Sequence, residues 1–160
     1  VTAASRHEAT REIARGIAET FKGRGVHVDF EEMDDVRSLD GYDGVVIGSA
    51  VYAGRWLKEA KAFVKDHAAE LAPRRVWLFS SGPIGQPPVP IEEAPDAAKM
   101  LAISGAEEHH TFAGRLTREG LSVPERAIVR ALHVEEGDFR DWTEIEAWAE
   151  RIAEDLARVA

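Results

Sequence analysis

Within six residues, Ser5-Arg6-His7-Glu8-Ala9-Thr10 places two hydroxyls, a guanidinium and an imidazole between a short apolar start, Val1 to Ala4, and a run with helical spacing. A strand that turns directly into a helix presents free backbone N–H groups and the positive end of the helix dipole, which together suit a phosphate. Ser5 and Thr10 can donate through their hydroxyls, the N–H groups of residues 7 to 10 point into the same space, and Arg6 adds charge. Ordinary capping of the helix by Ser5 or His7 is the competing reading. Other chemistry is sparse. The chain has no Gly-rich dinucleotide fingerprint, P-loop lysine or nucleophile motif. It has no cysteine, which removes disulfides, thiolate metal sites, iron–sulfur ligation and cysteine nucleophiles, so redox chemistry has to come from a cofactor. His109 and His110, adjacent in an expected strand, point to opposite faces and cannot chelate one metal together. The acidic runs Glu31 to Asp35 and Glu135 to Asp141 lack the spacing and glycine of a calcium loop and read as solvated faces.

The elements that must position the first loop follow from hydrophobic periodicity. Ala9, Ile13, Ala14, Ile17, Ala18 and Phe21 recur at helical spacing, with Gly23 and Gly25 as stops. Val26, Val28 and Phe30 alternate with polar residues as an expected second strand near an edge, and Val45-Val46-Ile47 is an uninterrupted third strand of the kind buried on both faces. Trp56, Ala60, Phe63, Val64, His67 and Leu71 mark a second helix closed by Pro73, before Val76-Trp77-Leu78-Phe79 as a fourth strand. A long proline-rich loop, Ser80 to Pro95, precedes a helix over Asp96 to Ser104 and a fifth strand over Glu108 to Ala113. Ser122 and Glu125 have the spacing of a capping box, opening a short helix through Leu132. Asp141 and Glu144 repeat that device before a last helix striped by Trp142, Ile145, Trp148, Ile152, Leu156 and Val159. This alternation predicts one α/β domain over residues 1 to 160: a doubly wound sheet of five parallel strands, order 2-1-3-4-5, with helices on both faces. In that order ligands sit beyond the carboxyl ends of the strands. Three loops would meet there: Ser5 to Thr10, Ser49 to Trp56, and Ser80 to Gly85.

Composition narrows the partners. At 160 residues and 44% apolar content the chain is long enough to bury roughly 70% of its unfolded surface. A net charge of −9 argues against nucleic acid, which selects clustered Lys and Arg, and favours a partner with a basic surface. No apolar run reaches the length of a membrane span and no signal-peptide plan opens the sequence, so the expected compartment is the cytoplasm.

Five blocks occur in order: Ala4-Ser5-Arg6-His7 before Ala9-Thr10; Gly48-Ser49-Ala50-Val51-Tyr52-Ala53-Gly54; Leu78-Phe79-Ser80-Ser81-Gly82-Pro83; Phe112-Ala113-Gly114-Arg115-Leu116; and Glu135-Glu136-Gly137-Asp138-Phe139-Arg140-Asp141-Trp142. Nearly end to end, the chain resembles flavodoxin-fold proteins, and within them the branch that contains menaquinone-dependent protoporphyrinogen oxidases and bacterial flavodoxin-domain proteins. The resemblance implies FMN. Its phosphate would lie on Ser5, Arg6, His7, Ala9 and Thr10, and its ring between Ser49, Ala50, Val51, Tyr52, Ala53 and Gly54 on one side and Ser80, Ser81, Gly82, Pro83 and Gly85 on the other. Tyr52 and Trp56 are candidates to stack on the ring, with core packing the stronger reading for Trp56. Glu8 departs from the pattern, because flavodoxin-type phosphate loops carry glycine there. A carboxylate beside the phosphate repels it by roughly 4 kcal/mol at an effective dielectric near 20 and about 1 kcal/mol in water, and a positive φ at that position would strain any residue but glycine.

Three functions stand open at this point. The first is an FMN-dependent oxidoreductase that moves electron pairs between a small organic substrate and a quinone, as the resemblance to the oxidase branch implies. The second is an electron carrier that docks a redox protein through its acidic surface. The third is a binding domain that keeps the fold and has lost FMN through Glu8. Pairing of two copies as a homodimer is left open by all three.

Overall fold

A computed structural model describes residues 1–82, 84, 94–119, 121–131 and 133–158. Strands β1 (Thr2–Ala4), β2 (Gly44–Tyr52), β4 (Arg75–Ser81) and β5 (Glu108–Phe112) run parallel in the spatial order β1-β2-β4-β5, and β3 (Arg55–Trp56) folds back antiparallel on β2. Helix α1 (Ala9–Gly23) follows β1, α2 (Lys58–Asp66) and α3 (Ala68–Leu71) follow β3, and α4 (Pro95–Ser104) precedes β5. A two-stranded ribbon of β6 (Arg115–Leu116) and β7 (Gly137–Asp138) brackets α5 (Val123–Ala131), and α6 (Trp142–Ala157) ends the fold.

The period-2 geometry of β2 explains two separate cores. Val46 points to one face, where it meets Ala3, Ile13, Ile17, Phe21, Trp77, Phe79, Ile145, Trp148 and Ile152 under α1 and α6. Val45 and Ile47 point to the other, packing with Ala60, Phe63, Val64, Leu78 and Met100 under α2 and α4. Each large side chain buried this way contributes about 1.5–3 kcal/mol relative to exposure, so the apolar run at 45–47 commits the sheet to a central position. Gly48 lets the tip of the Phe79 ring approach the β2 backbone, since a Cβ there would fall inside the ring's van der Waals envelope. Gly16 gives α1 the same close approach to Trp142 of α6. A third, smaller cluster of Leu116, Leu121, Val129 and Val134 holds α5 against the β6–β7 ribbon.

The expected doubly wound architecture is present, with several local differences. The Val26 to Phe30 stretch lies at the β1 edge, as order 2-1-3-4-5 requires, but it forms no strand. Its backbone ties are Val1 N to Asp29 O (2.8 Å) and Glu31 N to Val1 O (3.1 Å), because β1 is only three residues long and offers little ladder to pair with. Ser49 to Tyr52 and Ser80-Ser81 are strand rather than loop: β2 and β4 stay in register through Ala50↔Ser81, and β2 continues to Tyr52 by pairing with β3. Trp56 therefore belongs to β3 and does not begin a helix. The expected single helix through Leu71 is interrupted at His67, whose ring stacks on Phe63 at 4.3 Å and whose Nδ1 sits 3.1 Å from the Phe63 carbonyl. Leu132 and Val159 lie outside the described residues.

Candidate functional site

Register places the ends of the central strands on one line: Ala4 pairs with Ser49, Ser49 with Ser80, and Ser80 with Thr111. Immediately beyond Ala4 the chain bends through residues 5–8 and enters α1. The residue before the helix is Glu8, at φ 60 and ψ −29, and no side chain caps the helix. In the first turn of α1 the Ala9 N–H donates to the His7 carbonyl (2.7 Å), and among the described residues no side chain, those of Ser5 and His7 included, accepts from the turn's other N–H groups. The Glu8 carboxylate is turned along the helix, where Arg11 donates to it and Arg15 Nη1 stands 3.9 Å away. Its charge is already countered there, which reduces the repulsion expected for a phosphate at the helix end.

The first turn is held by residues more than one hundred positions away in sequence. Arg140, with a side chain only 3% exposed, donates to the Ala9 carbonyl (3.3 Å) and to Glu12 Oε2 (2.7 Å) and forms a two-pronged pair with Asp138 of β7. Arg115 of β6 donates to the same Glu12 oxygen at 3.0 Å. Two forked guanidiniums on one carboxylate fix the entry of α1 against the ribbon. The Arg140 fork holds the Asp138 carboxyl below the usual carboxylate range.

Tyr52 stands opposite the loop at the end of β2. Its ring lies 6.0 Å from that of His7, and the Arg6 guanidinium sits over it at 5.1 Å. Burial pushes the Tyr52 phenol up to about 12, with the nearby Glu125 charge adding to the shift, so the hydroxyl stays protonated at neutral pH. Glu125 comes from the first turn of α5. It accepts from the Ser122 N–H and the Ser122 hydroxyl, both at 2.7 Å, and its other oxygen faces Arg6 Nη1 at 3.6 Å and His7 Nε2 at 3.7 Å. The His7 Nε2 atom is buried and has no hydrogen-bond partner among the described residues. The hydrogen bonds from Ser122 hold the Glu125 carboxyl below its ordinary value.

The hairpin carrying Tyr52 is built from Ala53 and Gly54, both at positive φ, the pattern of a two-residue type I′ turn. It is fastened from below. The Leu57 N–H donates to Ser49 Oγ (3.0 Å) and the Trp56 N–H to Asp96 (3.2 Å). The Trp56 indole donates to Ser80 Oγ (2.7 Å), which also lies 2.7 Å from His109 Nε2. Ser49 and Ser80 accordingly use their hydroxyls within the sheet, and Trp56, 2% exposed, is core. Ala50 and Ser81 are buried beside them; Val51, Tyr52, Gly54 and Gly82 are half-buried at the open end, and Ala53 is exposed. Gly82 packs on Val51, which a Cβ would approach to 2.8 Å. In the first loop Ser5 and His7 are half-buried, Arg6 is exposed, and Ala9 and Thr10 are buried. The structure therefore brings the first loop, the Tyr52 hairpin and Gly82 to one end of the sheet. Pro83 and Gly85 lie outside the described residues. His109 and His110 do face apart: His109 meets Ser80, and His110 pairs with Glu144 at 2.9 Å on the α6 side.

A family model described as a flavodoxin domain matches residues 1–143. The chain belongs to the flavodoxin domain family. Solved structures agree on the fold. An archaeal flavodoxin superposes with a TM-score of 0.66 at 15% identity, covering 98% of this chain and 96% of its own. A Streptococcus pneumoniae flavodoxin gives 0.63 at 19% identity, covering 99% and 97%. The rubredoxin:oxygen oxidoreductase of Desulfovibrio gigas gives 0.65 at 14% identity over 98% of this chain, which spans only 35% of that larger protein. No curated protein matches the sequence. Membership of the flavodoxin domain family implies FMN as the cofactor. The residues present fit it: an uncapped helix end, a buried imidazole nitrogen without a hydrogen-bond partner among the described residues and an arginine converge where an anion is needed, beside an aromatic side chain.

Sequence reasoning did not reach Glu125 and Arg140 as parts of this site. Glu125 was legible as a cap for Ser122, and Arg140 as part of a matching block, but their contacts with residues 6–12 span more than one hundred positions.

Proposed function

We propose that this flavodoxin-domain protein is an FMN-dependent oxidoreductase acting on a quinone or another small organic molecule. The observation that carries the reading is the uncapped amino end of α1 facing Tyr52, with Arg6 and His7 between them. Ser5, Arg6, His7 and the N–H groups of the first turn would hold the phosphate, with Thr10 buried behind them. Val51, Tyr52, Ala53, Gly54 and Gly82 would flank the ring. When bound, the isoalloxazine supplies the redox chemistry, in one- or two-electron steps. The protein's own part is to orient it: the Tyr52 phenol offers a neutral aromatic face and a hydroxyl donor, and the Trp56–Ser80–His109 contacts keep the hairpin rigid. The resemblance to the oxidase branch and the α5 module standing beside the cofactor end favour a small substrate. A second reading, an electron carrier for a redox protein, is favoured by the match over nearly the full length of single-domain flavodoxins. Among the described residues no helix is long and apolar enough to cross a membrane.

Titration of the purified chain with FMN, followed by flavin absorbance and fluorescence quenching, tests the first claim; absence of binding rules it out. With the loaded protein reduced anaerobically, rapid reoxidation by a water-soluble quinone alone supports the oxidoreductase, whereas reoxidation only by a partner protein supports the carrier.

A further inference from the structure

Glu125 of α5 stands against the first loop at Arg6 and His7. Beside the Ser5 hydroxyl, Arg6 and His7 are the nitrogen-bearing side chains the loop offers an anion, and both already face a carboxylate that α5 supplies. That carboxylate is not a wandering surface group. Its second oxygen is fixed by the Ser122 N–H and hydroxyl at 2.7 Å, its side chain is 19% exposed, and α5 is anchored by Val129 in the cluster with Leu116, Leu121 and Val134. Arg6, at 3.6 Å, forms an ion pair longer than a tight hydrogen bond, and His7 Nε2, 3.7 Å from the same oxygen, has no hydrogen-bond partner among the described residues.

We propose that Glu125 is a specificity-determining residue of the cofactor site: it holds Arg6 and His7 as a stand-in anion, and a flavin phosphate must compete with it for them. This rests on the FMN reading above. A phosphate monoester carries about −1.5 to −2 charge at neutral pH, so it outbids a single carboxylate for the same donors while being repelled by it. Phosphate-free riboflavin neither competes nor is repelled. Glu125 therefore sets how strongly the site distinguishes the two flavins, and it keeps the loop in its charge-paired form until FMN arrives.

The test compares the protein with Glu125→Gln, titrated with FMN and, separately, with riboflavin by fluorescence quenching. The carboxamide oxygen can still accept from Ser122, so α5 stays capped. FMN should bind roughly tenfold or more tightly to the variant, as expected for loss of one competing charge at this range, while riboflavin affinity stays within about twofold. Equal gains for both flavins would overturn the inference, since Glu125 would then act only by obstructing the cleft. Unchanged or weaker FMN binding would overturn it too, by showing that the carboxylate orients Arg6 and His7 for the phosphate. Failure of both proteins to bind FMN would overturn the FMN reading itself, and this inference with it.

Discussion

At the scale of single residues, Glu8 is the clearest conflict between side chain and backbone. It holds φ 60, a conformation that costs a non-glycine residue about 1–3 kcal/mol, and the compensation visible is an exposed pair with Arg11 worth about 0–1 kcal/mol. Glu8→Gly should therefore stabilise the fold by about 1 kcal/mol and raise the melting temperature by about 2–4 °C, measured by calorimetry. Because the carboxylate points along α1 toward Arg11 and Arg15, FMN affinity should change by less than about threefold. A much larger gain would show the charge facing the phosphate instead. The strain at position 8 was legible in the sequence, as a glycine replaced in a matching loop. The direction of its side chain was not, since that depends on Arg15 and on Glu32, to which Arg11 also donates at 2.7 Å.

At the scale of elements, the β6–α5–β7 module depends on carboxylates. Asp138 is clamped by Arg140, and Glu125 by Ser122; both carboxyls sit below their ordinary values. Groups whose folded pKa is depressed contribute stability above the unfolded pKa, and that stability is lost as pH falls through the folded one. The module should thus loosen below about pH 4. Limited pepsin digestion between pH 5 and 2 should cut first within residues 115–139 while the central strands survive; uniform cutting along the chain would contradict it. The long elements α1, α6, β2 and β4 were legible from periodicity, because each buries a continuous stripe or run. The two-residue strands were not. Ala53-Gly54 is not one of the common hairpin dipeptides, and β6 and β7 are 21 residues apart with no alternation of their own. The Val26 to Phe30 stretch shows the opposite error: good alternation without enough of a neighbour to pair with. Both cores were foreseen from single strands, whereas the ribbon that bolts α1 in place emerges only from long-range arginine pairs.

At the scale of the whole molecule, the site is a seam between the sheet's open end and the module packed beside it, so filling it should tighten the whole fold. A ligand at 100 times its Kd stabilises the native state by about 2.7 kcal/mol, which for a chain of this size corresponds to about 5–10 °C. Thermal melts with saturating FMN should show that rise, with a smaller one for riboflavin; no shift with either would mean that neither binds the native state. The sheet's centre carries a different kind of constraint. Gly48 and Phe79 occupy one volume between them, the bare backbone of β2 accepting the ring tip from β4. Evolution cannot alter either position alone: a methyl group at 48 demands a smaller partner at 79, and a smaller partner at 79 leaves a void until 48 grows. Divergent descendants of this chain should exchange the two together, a coupled change that marks lineage rather than chemistry.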